Sequence, residues 1–252
     1  RIRGNSLNRR LKTTGNKDEL DHLIDALISM LDRIDTAFKA EKSFVSHASH
    51  ELNNPITAIQ GECEISLLKE RSTEEYVEAL QRIAGESKRL SNLIRHLMFL
   101  SRQEEDIRKN NVEKIYLADL LQEMSSAVPR LRLQYPEEGV KSAVVDANPY
   151  LFKIALQNII DNACKYSQEE VIVRLYKEGE RWGIAVGDSG IGIPKDEIEH
   201  IFQSFYRGSN TREYTGQGVG LSLSAKIFSV YGGKIEIASE EGKGTEVKVI
   251  FG

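Results

Sequence analysis

Leu20, Ile24, Leu27, Leu31, Ile34 and Phe38 follow one another at steps of four, three, four, three and four. That alternation averages about three and a half residues, the repeat of a coiled-coil seam rather than of a lone surface helix. A seam of this kind needs a partner helix to cover it. At Glu41, which takes the next seam position, the register slips, and a new series runs through Val45, Ala48, Leu52, Ile56, Ile59 and Cys63. Such a slip alters the local winding of a coiled coil. After a break at Glu70 to Thr73 the spacing resumes with Tyr76, Leu80, Ile83, Ser87, Leu90, Ile94 and Leu97. Thr73 offers a cap-like hydroxyl, and Glu74 and Glu75 suit the positive end of the helix dipole. Two amphipathic helices joined by a tight turn make an antiparallel hairpin. One hairpin is too thin to cover its own apolar stripe, so the pattern predicts a homodimer with a four-helix bundle.

A charged run without periodicity, from Gln103 to Asn111, separates this half from one of different texture. From about Val112 short β-branched or aromatic stretches alternate with helical ones. Strands are expected at Lys141 to Val145, Val171 to Tyr176, Trp182 to Val186, Lys234 to Ala238 and Glu246 to Phe251. Helices are expected at Leu117 to Ser125, Pro149 to Tyr166, Lys195 to Ile201 and Val219 to Val230. The fold class expected is therefore multidomain: a long-helix hairpin forming a dimeric four-helix bundle, followed by an α/β or α+β domain of about 140 residues.

Hydrophobic residues at 40% and charged ones at 29% of the 252 residues exclude a disordered or fibrous chain. With 34 Lys and Arg against 38 Asp and Glu the net charge is −4, which predicts no nucleic-acid partner and confines any phosphate recognition to a local site. Cys63 and Cys164 show no metal-ligand spacing and read as buried, reduced thiols. No apolar stretch approaches the length needed to span a bilayer. The opening at Arg1 without a methionine predicts a fragment whose missing N-terminal part holds a membrane anchor.

Three glycine clusters punctuate the second half: Asp188-Ser189-Gly190-Ile191-Gly192 after an apolar strand, Gly216-Gln217-Gly218-Val219-Gly220 at the start of a helix, and Gly242-Lys243-Gly244 before the last strand. Glycines ahead of a helix let backbone approach a phosphate, while the unpaired N–H groups of the first turn hold the anion. A flexible loop would carry the same residues. Asn158, Asp161, Asn162 and Lys165 share one side of a helix and precede Tyr166. Amide and carboxylate oxygens beside a lysine suit hydrated Mg²⁺ and a polyphosphate, whereas a merely solvated face has no use for two poor helix formers. In the first half His50 and Glu51 are adjacent, with Pro55 shortly after, where a kink is expected. A neutral imidazole is a good nucleophile, and a neighbouring carboxylate can take its proton. His47 and His50 could instead ligate a metal, although the zinc helix motifs read differently.

Together these segments resemble a bacterial sensor histidine kinase of a two-component system, and the likeness covers nearly the whole chain. HELNNPITAI is similar to the family's H box, LQNIIDNACKYS to its N box, DSGIGI to its first glycine box, IFQSFYRG to its F box and GQGVGLSL to its second glycine box. The early DELDHLIDALISMLDRID resembles the second half of a HAMP linker. The resemblance implies a partial HAMP linker and signalling helix over residues 1–38, a dimerisation and phosphotransfer hairpin over 39–106 and, over 112–252, an ATP-binding domain folded as an α/β two-layer sandwich. It implies that His50 accepts the γ-phosphoryl group of ATP, that Glu51 is its general base, and that Asn54 positions a water against the aspartyl phosphate of a response regulator. Asn162 and Asn158 would hold Mg²⁺, with Asp161 beside them. Asp188 would accept from the adenine amino group, Gly190 and Gly192 would admit the base, and Tyr166 would lie against it. Lys165, Arg207 and the backbone of Gly216, Gly218 and Gly220 would cradle phosphates under a lid at about 208–215. The implied setting is the cytoplasmic portion of a bacterial inner-membrane protein, with a membrane-embedded sensor region upstream.

Two departures from the family pattern stand out. Asn53-Asn54 replaces the Arg-Thr often found before the proline, and Gln203 stands where an acid that anchors the lid is common. Related nucleotide domains also occur in gyrase and mismatch-repair ATPases, which hydrolyse ATP without keeping the phosphate and carry a longer lid and a transducer domain. A coiled-coil scaffold with a degenerate nucleotide fold is the third reading.

Overall fold

The computed structural model describes residues 19–135 and 139–252. The first 18 residues of the expected linker lie outside the described residues. Helix α1 (Glu19–Leu67) is a single 49-residue rod, and α2 (Thr73–Leu100) returns along it. Pro55 is buried within α1 without ending it. The cap of α2 is one residue earlier than the sequence suggested. Ser72 Oγ accepts from the Glu75 amide at 3.2 Å, and the Glu75 carboxylate accepts from the Ser72 amide at 2.8 Å, a reciprocal capping box. Ser72 wins over Thr73 because Glu75 then falls three residues into the helix. Arg82 on α2 grips Glu62 on α1 with two hydrogen bonds of 3.1 and 2.7 Å, fixing the hairpin's register. Between the two helices Ala79 and Leu93 are buried, each one residue before a member of the predicted series, while Leu80 and Ile94 of that series, and Cys63, expected inside, are exposed on the single chain.

The charged run after α2 is not shapeless. It contains a short helix, α3 (Glu104–Arg108), pinned by buried Ile107. The C-terminal domain then follows in the order β1 (Glu113–Tyr116), α4 (Leu117–Ala127), β2 (Leu131–Gln134), β3 (Val144–Ala147), α5 (Pro149–Tyr166), β4 (Val171–Glu178), β5 (Arg181–Asp188), α6 (Gly220–Val230), β6 (Gly233–Glu240) and β7 (Gly244–Phe251). β1 and β3 form an antiparallel pair. The main sheet has the order β2-β4-β5-β7-β6, with only β2 and β4 parallel.

Helices cover one face of that sheet. Phe152, Leu156, Ile159 and Ile160 of α5, with Ile227 and Phe228 of α6, pack on Val173, Leu175, Ile184 and Val249. Phe152 and Phe228 meet edge to face at 5.3 Å. The alternation along β4 and β6 leaves the other face to solvent, where Glu246 pairs with Arg174 and Lys248. This is the expected two-layer sandwich.

Three local expectations need correction. Residues 195–201 are successive turns rather than a helix. The strand expected from Lys141 splits into a 3₁₀ turn at Val140–Ser142 and the later strand β3, whose register is set by β1. Strands β1 and β2 carry too few apolar residues to stand out locally, and they form because distant partners offer free edges. α5 starts and stops where the sequence indicates: Asn148 accepts from the Leu151 amide at 3.0 Å and Pro149 fills the first position.

Candidate functional site

A cavity opens between the C-terminal half of α5, the end of β5 and the glycine-rich approach to α6. Asn158, Asn162, Lys165 and Tyr166 line it from α5, which the three- and four-residue spacing requires of one helix face. Asp188 enters from the last position of β5, and Gly192, Arg207, Gly216, Gly218 and Gly220 complete the wall. Ten of the residues singled out in the sequence therefore meet around one space. Gly190 does not line it. Its role is positional, because a Cβ there would stand 2.3 Å from the Tyr166 carbonyl, and its amide donates to Asp188 Oδ1 at 2.8 Å. Asp161 also stays outside, accepting from Gln157 at 2.7 Å.

Burial pushes the Asp188 carboxyl above the ordinary aspartate range, and the amides of Gly190 and Thr245 offset part of that shift. Lys165 donates to Tyr166 Oη at 2.9 Å, and its ammonium lies 2.7 Å from where a Cβ of Gly216 would stand. Two buried amide nitrogens at the cavity, Asn158 Nδ2 and Gln217 Nε2, have no partner among the described residues. A buried donor left unpaired is costly, so both are suited to an acceptor supplied by a bound molecule. Among the described residues no cluster of three His, Cys, Asp or Glu could hold a metal. Asn158 and Asn162 nevertheless fit Mg²⁺, which takes few protein oxygens and completes its shell from phosphate and water.

The segment expected to act as a lid is tied down without an acid in the F box. Glu197 accepts from the Ser209 amide through both oxygens at 3.1 Å, and Asn210 Nδ2 donates to the Gly192 carbonyl at 3.1 Å. Gln203 instead bonds His200 at 3.0 Å. Arg207, expected to face phosphate, donates to the carbonyls of Thr211 and Tyr214 and so holds the 208–215 loop. Tyr214 closes edge-on against Tyr166 at 5.0 Å.

His50, Glu51 and Asn54 lie on α1 and none lines the cavity; His50 is exposed and Glu51 half-buried. The hairpin reaches the cavity through one residue not singled out in the sequence, His96, and meets the F-box segment beside the cavity through Phe44 and His47. His96 of α2 forms part of the cavity wall. Burial, and secondarily Arg95, holds its imidazole below the usual histidine range. Phe205, at a backbone φ of +69°, packs on Phe44 and His47 of α1 at ring distances of 5.6 and 6.0 Å. A non-glycine residue in that conformation was the findable signal only once the backbone was known.

Comparisons with known proteins bear on both halves. The family described as His Kinase A (phospho-acceptor) domain matches residues 40–106, and that described as Histidine kinase-, DNA gyrase B-, and HSP90-like ATPase matches 147–251. The signal transduction histidine-protein kinases ArlS of Staphylococcus haemolyticus and Staphylococcus epidermidis are 30% and 32% identical over 99% of this chain and 57% of their own length. The chain thus spans little more than half of these relatives. Among solved structures, the Acinetobacter baumannii histidine kinase AdeS superposes with a TM-score of 0.61 at 21% identity, over 80% of this chain and 96% of that one. Histidine kinase ThkA in complex with response regulator protein TrrA gives 0.65 at 20% identity, over 86% and 63%. Likeness at such identities concerns the fold alone.

Proposed function

The chain belongs to the two-component sensor histidine kinases, and from that we propose that it moves the γ-phosphoryl group of ATP to His50. The carrying observation is the pairing, on one chain, of a phospho-acceptor hairpin with a cavity whose orphaned Asn158 and Gln217 amides await an acceptor-rich ligand. In the step proposed, an imidazole nitrogen of His50 bonds to the γ-phosphorus while the bond to the β-phosphate bridging oxygen breaks. ADP leaves with that electron pair, and the imidazole proton passes to the Glu51 carboxylate. Asp188, its carboxylate held by the Gly190 amide, receives the adenine amino group, with Gly192 in the wall beside it and Tyr166 against the base. Lys165 and the N–H groups at Gly216, Gly218 and Gly220 orient the phosphates. Mg²⁺, held by Asn158 and Asn162, would neutralise phosphate charge.

The proposed units are 1–38 as linker and signalling helix, 39–106 as phosphotransfer hairpin and 112–252 as ATP-binding domain. A homodimer is supported by apolar side chains left exposed along the hairpin, among them Phe38 at 52%, Val45 at 57%, Leu67 at 86% and Leu80 at 64%. The proposed partner is the receiver domain of a response regulator, to which His50 passes its phosphoryl group and whose aspartyl phosphate Asn54 helps hydrolyse. No helix among the described residues is long and apolar enough to cross a membrane. The proposed setting is the cytoplasmic side of a bacterial inner membrane, downstream of a sensor region. Incubation with γ-labelled ATP is expected to place acid-labile, base-stable label on His50 and none on His50→Ala; label persisting on the variant would refute the assignment.

A further inference from the structure

The end of α2 is held by a side chain from the far domain. Lys226 Nζ on α6 donates to the carbonyls of Leu100 at 2.5 Å and Arg102 at 2.7 Å, so one ammonium satisfies two carbonyls at a helix terminus that carries no basic residue in its own last turn. The same end of α6 also takes the connecting segment. Arg108 Nε donates to the Val230 carbonyl at 3.2 Å, and Tyr231 Oη to the Ile107 carbonyl at 3.3 Å. Gly220, at the other end of α6, belongs to the nucleotide cavity. Gly220 and Lys226 are about 9 Å apart along one helix, too short a span to flex. The latch and the phosphate cradle therefore move as one body.

In this arrangement the hairpin residue in the cavity wall is His96, while His50 stands outside it. We propose that Lys226 is a positioning residue: by clamping the carbonyls at the end of α2 it fixes the cavity on α2 in a pose whose wall includes His96 and not His50, and transfer requires its release. The proposal rests on the kinase reading above.

The test compares the intact chain with Lys226→Met and Lys226→Arg, measuring labelling of His50 at saturating ATP, the affinity for a fluorescent ATP analogue, and amide hydrogen exchange across 97–108. Lys226→Met is expected to label His50 about tenfold faster, the weight of one charge-assisted hydrogen bond, with faster exchange across 97–108 and unchanged exchange in β4 to β7. A fold merely damaged by the substitution would label more slowly. Lys226→Arg, still able to donate to two carbonyls, should restore the slow rate. A Lys226→Met rate equal to or below wild type would overturn the proposal. If neither wild type nor variant labels His50, the kinase reading fails by itself. Exchange then decides the latch: a rise across 97–108 supports it and no rise overturns it.

Discussion

The amide of Phe205 donates to the carbonyl of Gly218 at 2.8 Å, joining the aromatic residue that rests on α1 to the glycine loop of the cavity. Gly218 sits at φ +69°, and a Cβ there would stand 2.5 Å from the Tyr206 carbonyl. Hairpin contact and glycine loop thus share one hydrogen bond.

Gly218→Ala should therefore disrupt both. A left-handed backbone costs an ordinary residue about 1–2 kcal/mol before the clash is counted. The affinity for a fluorescent ATP analogue is expected to fall about tenfold or more, with the domain still folded by circular dichroism. An affinity within twofold of wild type would show that the loop re-forms without this geometry.

Asp188 yields a prediction with opposite signs for stability and binding. Folding raises its pKa, so the ionised carboxylate costs stability above that pKa, and the cost is relieved as pH falls through it. Asp188→Asn should raise the Tm of the nucleotide-free chain at neutral pH and weaken ATP binding. For the wild type, acidification should weaken ATP binding at a higher pH than an ordinary aspartate would dictate, because protonation removes the acceptor. Calorimetric titrations across pH, with both proteins, check the pair of effects.

Asn162→Ala is expected to remove the gain in ATP affinity that Mg²⁺ provides while sparing the Mg²⁺-free affinity. Titration with and without chelator measures this. An undiminished Mg²⁺ effect would reassign the ion's ligands.

How far this site could be read from sequence depended on whether its geometry is local. Asn158, Asn162 and Lys165 follow from helix spacing within α5, and the capped ends of that helix are written in Asn148 and Pro149. His96 and Lys226 could not be read, since each acts across a domain boundary more than a hundred residues wide in one case. The same holds for β2, a four-residue strand whose pairing with β4 spans some forty residues. Residues 195–201 look helical but form turns, held by local bonds such as the Glu197 amide to the Pro194 carbonyl at 2.9 Å.

Asn54→Ala should lower dephosphorylation of a phosphorylated response regulator while labelling of His50 survives. Equal loss of both activities would point to a damaged helix.

Ser72→Ala removes the Oγ acceptor of the capping box and should cost about 1 kcal/mol. Urea denaturation at fixed protein concentration will show it as a lower midpoint with an unchanged slope. Ser72→Asp, which keeps an acceptor, should recover most of the loss.

Pro55 has no amide hydrogen, so it leaves the Glu51 carbonyl, four residues back, without its rung in an otherwise continuous ladder. Bending α1 there breaks one backbone bond fewer than bending it elsewhere, a difference of about 1 kcal/mol. The rod's softest joint thus adjoins the imidazole of His50, and any flexure imposed on the helix will gather beside the ring proposed as the phosphoryl acceptor.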